Sequence, residues 1–159
     1  MNKKTFKNAV VSATLSLVSL VAPMSAYAIE PTMTIYTVTG AGPFGIAFDG
    51  TNMWTADQVG NSITKITPTG TMTTYAGAGT DPAGITFDGT NIWVSDQIST
   101  GGAKKFALDG TLIATYTGIG SYPGMLASDG VNMWVSGNNT RNVIKIAPDG
   151  TKTAYSGTG

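Results

Sequence analysis

The sequence has no histidine and no cysteine. The first absence removes the commonest general base and metal ligand. The second leaves no disulfide framework. Charge is also scarce, at 11% of 159 residues, with Arg141 the single arginine and Glu30 the single glutamate. No basic cluster is available for nucleic acid. Beyond the first 28 residues no stretch repeats apolar side chains at i, i+3, i+4 and i+7, so helices are not expected. No glycine-rich phosphate loop leads into a helix. Serine and threonine are plentiful, but no histidine is there to activate them.

What is present first is an export signal. Lys3, Lys4 and Lys7 form a positive start, Ala9 to Ala22 is mostly apolar and uncharged, and Ala26-Tyr27-Ala28 is a small-x-small cleavage site. The apolar run is short for a membrane span and is followed by Pro23. Residues 1–28 therefore read as a secretory signal peptide. The mature chain is expected to start at Ile29, secreted or periplasmic, with no membrane span after signal removal. From Ile29 onward six basic side chains face nine acidic ones, a mildly acidic balance of −3.

The second feature is a repeat. Phe48-Asp49-Gly50-Thr51-Asn52-Met53-Trp54 returns as Phe87-Asp88-Gly89-Thr90-Asn91-Ile92-Trp93, and more loosely as Ser128-Asp129-Gly130-Val131-Asn132-Met133-Trp134. The tryptophans step by 39 and 41 residues. Each copy reads as four short strands. In the first these are 44–48, 52–56, 63–67 and 72–76, with Asp49-Gly50 as a hairpin turn and Pro68-Thr69-Gly70 as another. The second copy places strands at 84–87, 91–95, 103–108 and 112–117, and the third at 124–128, 132–136, 143–147 and 152–155. Large residues stand on both sides of the second strand, as in Met53-Trp54, which means that both faces are covered. Four antiparallel strands per unit of about 40 residues define one β-propeller blade. The fold class is thus all-β, with blades at about 41–78, 79–119 and 120–159.

Thr32-Met33-Thr34-Ile35-Tyr36-Thr37 resembles Thr71-Met72-Thr73-Thr74-Tyr75-Ala76, so 32–39 reads as a spare outer strand before the first blade. Three blades do not close a ring, since propellers have about 4–8. The segment therefore reads as part of a longer propeller or a truncated product, with a homodimer closing a six-blade ring as the alternative.

Pro43-x-Gly45-Ile46, then Trp54, then Asn61-x-Ile63-x-Lys65-Ile66-x-Pro68-x-Gly70 resembles the repeat of NHL-type propellers, within them the streptogramin (virginiamycin B) lyase-like group. Pro82-Ala83-Gly84-Ile85, Trp93-Val94-Ser95-Asp96, Trp134-Val135-Ser136 and Lys145-Ile146-x-Pro148-x-Gly150 fit the same pattern. The third copy departs in Pro123-Gly124-Met125-Leu126, where Met125 stands at a glycine position. The resemblance implies a propeller fold throughout the mature chain. For lyase members it also implies metal-assisted opening of a cyclic depsipeptide, with a histidine, an acidic residue and magnesium. No residue here supplies the histidine, so no catalytic residue is assigned.

Five Asp-Gly pairs, at Asp49, Asp88, Asp109, Asp129 and Asp149, are explained by turn chemistry, and none has calcium-loop spacing. Trp54, Trp93 and Trp134 recur in phase with the blades, as inter-blade packing requires. The expected ligand-binding residues lie on one end of the blades, in loops around the channel mouth: Asp57, Gln58, Asp96, Gln97 and Asn138 after the second strands, Asp81 and Tyr122 in the linkers, and Arg141 in the place of Asn61. Asp and Asn there suit a cation or the polar groups of a sugar or peptide, or else cap strand ends. No cofactor or metal site is assigned. The leading expectation is an exported, non-catalytic binding or scaffold module for a peptide, glycan or protein partner. The alternatives are a fragment of a lyase-like enzyme whose catalytic blades lie elsewhere, and a structural repeat module of a cell-surface protein.

Overall fold

Short runs of β-branched and aromatic residues between Asp-Gly and Pro-x-Gly turns leave the chain little choice but hairpins. The computed structural model describes residues 33–37 and 39–157, and the expected signal peptide lies outside them. Among the described residues, β1 (Pro43–Phe48), β2 (Met53–Asp57), β3 (Ser62–Ile66) and β4 (Met72–Ala76) form one sheet in sequence order. The strands β5 (Pro82–Phe87), β6 (Ile92–Asp96), β7 (Ala103–Phe106) and β8 (Leu112–Tyr116) form the second. The third contains β9 (Pro123–Ser128), β10 (Met133–Gly137), β11 (Asn142–Ile146) and β12 (Lys152–Ser156). All neighbours pair antiparallel. The three blades expected from the repeat are present.

Two details differ from expectation. The second strands run on to Asp57, Asp96 and Gly137, so the two acids close strands and do not open loops. The spare strand over 32–39 is absent as a strand: residues 33–37 and 39 carry no ladder, while 32 and 38 lie outside the described residues. The physical reason is the lack of an unpaired neighbour. Every third strand already has its own fourth, as β11 has β12 from Ile146↔Lys152 to Asn142↔Ser156.

The blades stack face to face. One face of the first, with Trp54, Ala56 and Ile63, meets the opposite face of the second, with Ile85, Ile92, Val94 and Phe106. The same contact recurs one blade on, where Trp93 and Ala103 meet Met133, Val135, Ile144 and Ile146. Every one of these side chains is at most 8% exposed. Burying a large apolar side chain contributes about 1.5–3 kcal/mol, so these two clusters are the main cohesive term.

Inner strands approach most closely at a glycine. A Cβ on Gly84 would stand 2.5 Å from the carbonyl oxygen of Gly124 in the next blade, and one on Gly45 would run into that of Ala83. Ser95 locks the second seam, accepting the Gly84 N–H at 2.9 Å and donating to the Gly124 carbonyl at 2.5 Å.

Gly84→Ala should therefore lower stability by about 1–3 kcal/mol, because backbone on both sides must move. Gly157, where an added Cβ meets nothing within 4 Å, should tolerate the same change. Thermal melts of the two variants check the contrast.

Candidate binding face

The two ends of the blades are built differently. At the turn end, the Asp-Gly-x-Asn-x-Trp repeat makes a clamp. The Asp49 carboxylate accepts the N–H groups of Thr51 (2.8 Å) and Asn52 (2.6 Å), the Asn52 side-chain amide (3.1 Å) and the Trp54 indole Nε1–H (2.7 Å). Asp88 holds the backbone amides of Thr90 and Asn91 and the Trp93 indole at 2.6 Å, and its Oδ2 lies 3.4 Å from Lys105 Nζ. Asp129 repeats the set on Val131, Asn132 and Trp134. Each indole is then stacked or tilted against a tyrosine of the outer strand, Tyr75, Tyr116 or Tyr155. A lysine of the third strand, Lys65, Lys105 or Lys145, lies over it. The spacing of Asp to Trp carried this bond in the sequence, but reading the pair as turn chemistry alone missed it. Burial pushes the Asp49 carboxyl up, yet the hydrogen bonds from Asn52, Trp54 and Thr51 outweigh it and hold it at about 2. Asp88 and Asp129 are likewise lowered.

At the loop end, linker and loop lie side by side. Gln58 N–H donates to the Gly42 carbonyl, Gln97 N–H to that of Asp81, and Asn138 N–H to that of Tyr122. The expected site residues Asp81 and Gln97, and Tyr122 and Asn138, are therefore neighbours in the second and third blades, and Gln58 adjoins Gly42 in the first. Asp57 and Asp96 play another part. Asp57 is fully buried and accepts the hydroxyls of Thr55 (2.7 Å), Ser62 (3.1 Å) and Thr64 (2.6 Å). Asp96 accepts the linker amides of Thr80 and Asp81, both at 2.9 Å. Each carboxylate lies under a linker glycine, Gly40 or Gly79, and that of Asp96 also pins the chain entering its blade. In the third blade Gly137 replaces the acid, and the side chains of Thr140 and Asn142, bonded to each other at 2.5 Å, fill the vacated space.

The exposed members are Tyr122, Asn138 and Arg141, with Gln58, Asp81 and Gln97 partly exposed. Tyr122 and Arg141 both sit in the left-handed region, at φ 55° and 50°. Arg141 matches Asn61 at φ 54°, while Tyr122 stands where the first blade has Gly42 at φ 67°. A bulky side chain in that conformation is strained. Among the described residues no three His, Cys, Asp or Glu side chains group as cation ligands.

An apolar concavity lies away from this end. It is an open groove of about 590 Å³ on the free face of the first blade, lined by Tyr36, Phe44, Ile46, Phe48, Met53 and Ile66 among others. A shallow hollow of about 570 Å³ at the loop end is lined by Ser99, Thr100, Gly101, Thr117, Gly118 and Gly120.

Solved structures of matching shape decide the architecture. A streptogramin B lyase superposes with a TM-score of 0.66 at 23% identity, over 78% of this chain and 44% of its own. The virginiamycin B lyase of Staphylococcus aureus gives 0.67 at 17%, over 78% and 45%. The chain has a streptogramin lyase-like β-propeller fold. The hydrazine synthase of Kuenenia stuttgartiensis also matches this propeller, with 0.66 at 19% identity, over 79% of this chain and 38% of its own. The chain spans less than half the length of these proteins. No family model matches its sequence, and no curated protein does.

Two measurements test this geometry. Asp49 is depressed in the folded state, so its contribution is full above its unfolded pKa of about 3.9 and is lost as pH falls toward about 2. Urea melts from pH 5 to pH 2 should show stability falling in that window, and Asp49→Asn should flatten the fall. Tyr122→Gly should raise stability by about 1 kcal/mol through relief of the left-handed tyrosine.

Proposed function

We propose that this propeller is an exported, non-catalytic binding or scaffold module that receives a peptide, glycan or protein partner on the loop end of its blades. One observation carries the reading: the blades agree at the turn end and diverge at the loop end. The clamp of Asp, Asn and Trp is repeated three times. Around the loops the equivalent positions hold Gly42, Asp81 and Tyr122, then Gln58, Gln97 and Asn138, then Asn61 and Arg141. Equal frames with unequal loops are how repeat scaffolds write recognition. The carboxylates of Asp57 and Asp96 belong to the frame, since they are already engaged. The contacting set is then Gln58, Asp81, Gln97, Tyr122, Asn138 and Arg141. It offers an aromatic face, one guanidinium, one carboxylate and amides, which suits the polar groups of a sugar or a peptide.

The purified protein, screened on glycan and peptide arrays, should give ligands whose affinity falls about ten-fold or more in Tyr122→Ala with Arg141→Ala. Val131→Ser, at the exposed turn end, should leave it unchanged. Silence on every ligand class, or binding indifferent to the double substitution, overturns the reading. Turnover of a cyclic depsipeptide overturns its non-catalytic part.

A further inference from the structure

We propose that two copies of this chain associate head to tail, the free face of the third blade of each seating on the free face of the first blade of the other, to close a ring of six blades. This is independent of what the loop end binds.

The two internal seams supply the template. In each, the tryptophan face of one blade meets the face of the next that carries the inner-strand residues Ile85 or Leu126. Among the described residues, one face of each kind is left uncovered. On the first blade, Phe44, Ile46 and Phe48 are 57%, 64% and 57% exposed, whereas Ala83 and Ile85, at the first two of these positions in the second blade, are 1% and 8%. On the third blade, Val143 is 40% exposed, whereas Ile63 in its place is fully buried. These faces are therefore complementary halves of a contact the chain already makes twice. They are apolar, and isolated patches of that kind mark an interaction site. Two copies present two such pairs, related by a two-fold axis, and six blades fall within the usual range for closure. The hydroxyl donor is also in place. Ser136 accepts the Met125 N–H at 3.0 Å, as Ser95 accepts that of Gly84. Ser95 donates across its seam, whereas Ser136 has only a long 3.4 Å bond to the Met125 carbonyl.

Two residues make this seam looser than the internal ones. Met125 stands where Gly45 and Gly84 let a carbonyl come close, and its side chain holds the next inner strand away. Tyr36 lies over Gly70, where a Cβ would be 2.5 Å from its ring, just as Tyr75 lies over Gly110 in the next blade. In the paired ring Tyr155 of the second copy takes that place, so Tyr36 must yield. The association is therefore reversible and concentration-dependent.

Sedimentation equilibrium of the purified protein tests this. Mass should rise from one chain to two with concentration and no further. Met125→Gly and Tyr36→Ala should each tighten the pair about ten-fold, and Ile46→Asp should weaken it by about 100-fold or more. Met125 and Ile46 are 61% and 64% exposed, so neither substitution removes a packed side chain from the single chain, and near-ultraviolet circular dichroism verifies folding. Four results overturn the proposal: one chain at every concentration up to about 1 mM in both wild type and Met125→Gly; a pair that survives Ile46→Asp; a pair that Met125→Gly fails to tighten; or growth beyond two chains.

Discussion

The bond from a tryptophan indole to the carboxylate five residues earlier organises each blade. Where it is buried, as between Asp49 and Trp54, a charge-assisted hydrogen bond of this kind contributes about 1.5–3 kcal/mol, at least as much as the aromatic stack beside it. Its geometric effect exceeds its energy. The same carboxylate also takes the amides of the Asp-Gly turn, so one group sets the hairpin and the orientation of the ring together. With the ring fixed, tyrosine and lysine lie along it and the blade acquires a broad flat face. The next blade has that face as its template. Small residues at Gly45 and Gly84 then let the inner edges close while bulky side chains keep the outer edges apart, which is the wedge a propeller needs.

This ordering explains which parts of the molecule were legible in the sequence. Strand positions follow from turn chemistry and the period of the tryptophans, and both are local. The departures lie where neighbours decide. The segment at 33–37 has the residues of an outer strand, and its likeness to 72–76 is real, yet strand structure needs an unpaired ladder beside it. Sequence similarity carries propensity but not a partner. For Asp57 and Asp96 the sequence left two roles open, a ligand contact or a strand-end cap, and both carboxylates are occupied by internal donors. Acids next to a loop look like ligands for something outside, and nothing local reveals that Ser62, Thr64 and a linker backbone will surround them. The third blade shows how little the acid itself matters, since Thr140 and Asn142 fill the same volume by another route.

The same logic separates frame from function along the chain. A residue repeated in every blade answers a demand that every blade shares, and that demand is packing. Residues that break the repeat are free of it, or held against it. Tyr122 is held against it. Its backbone adopts the left-handed form that Gly42 accepts without penalty, and its ring remains 40% exposed, so burial does not offset the strain. Arg141 takes the same form as Asn61, a residue that tolerates it better.

Met125 breaks the repeat in a different sense. At the loop end a departure costs only the blade that holds it, whereas a side chain on an inner strand is felt by whatever stacks next. A glycine there would leave the third blade ready to accept a neighbour on the terms of the first two seams. Methionine changes those terms: it gives apolar area that needs covering and denies the close backbone approach that the covering blade would otherwise make. A flexible thioether suits such a contact, since it conforms to an aromatic partner such as Phe44 without demanding one fixed geometry. Permanence within the chain and adaptability at its free faces thus come from the same inner-strand position, read as glycine twice and methionine once.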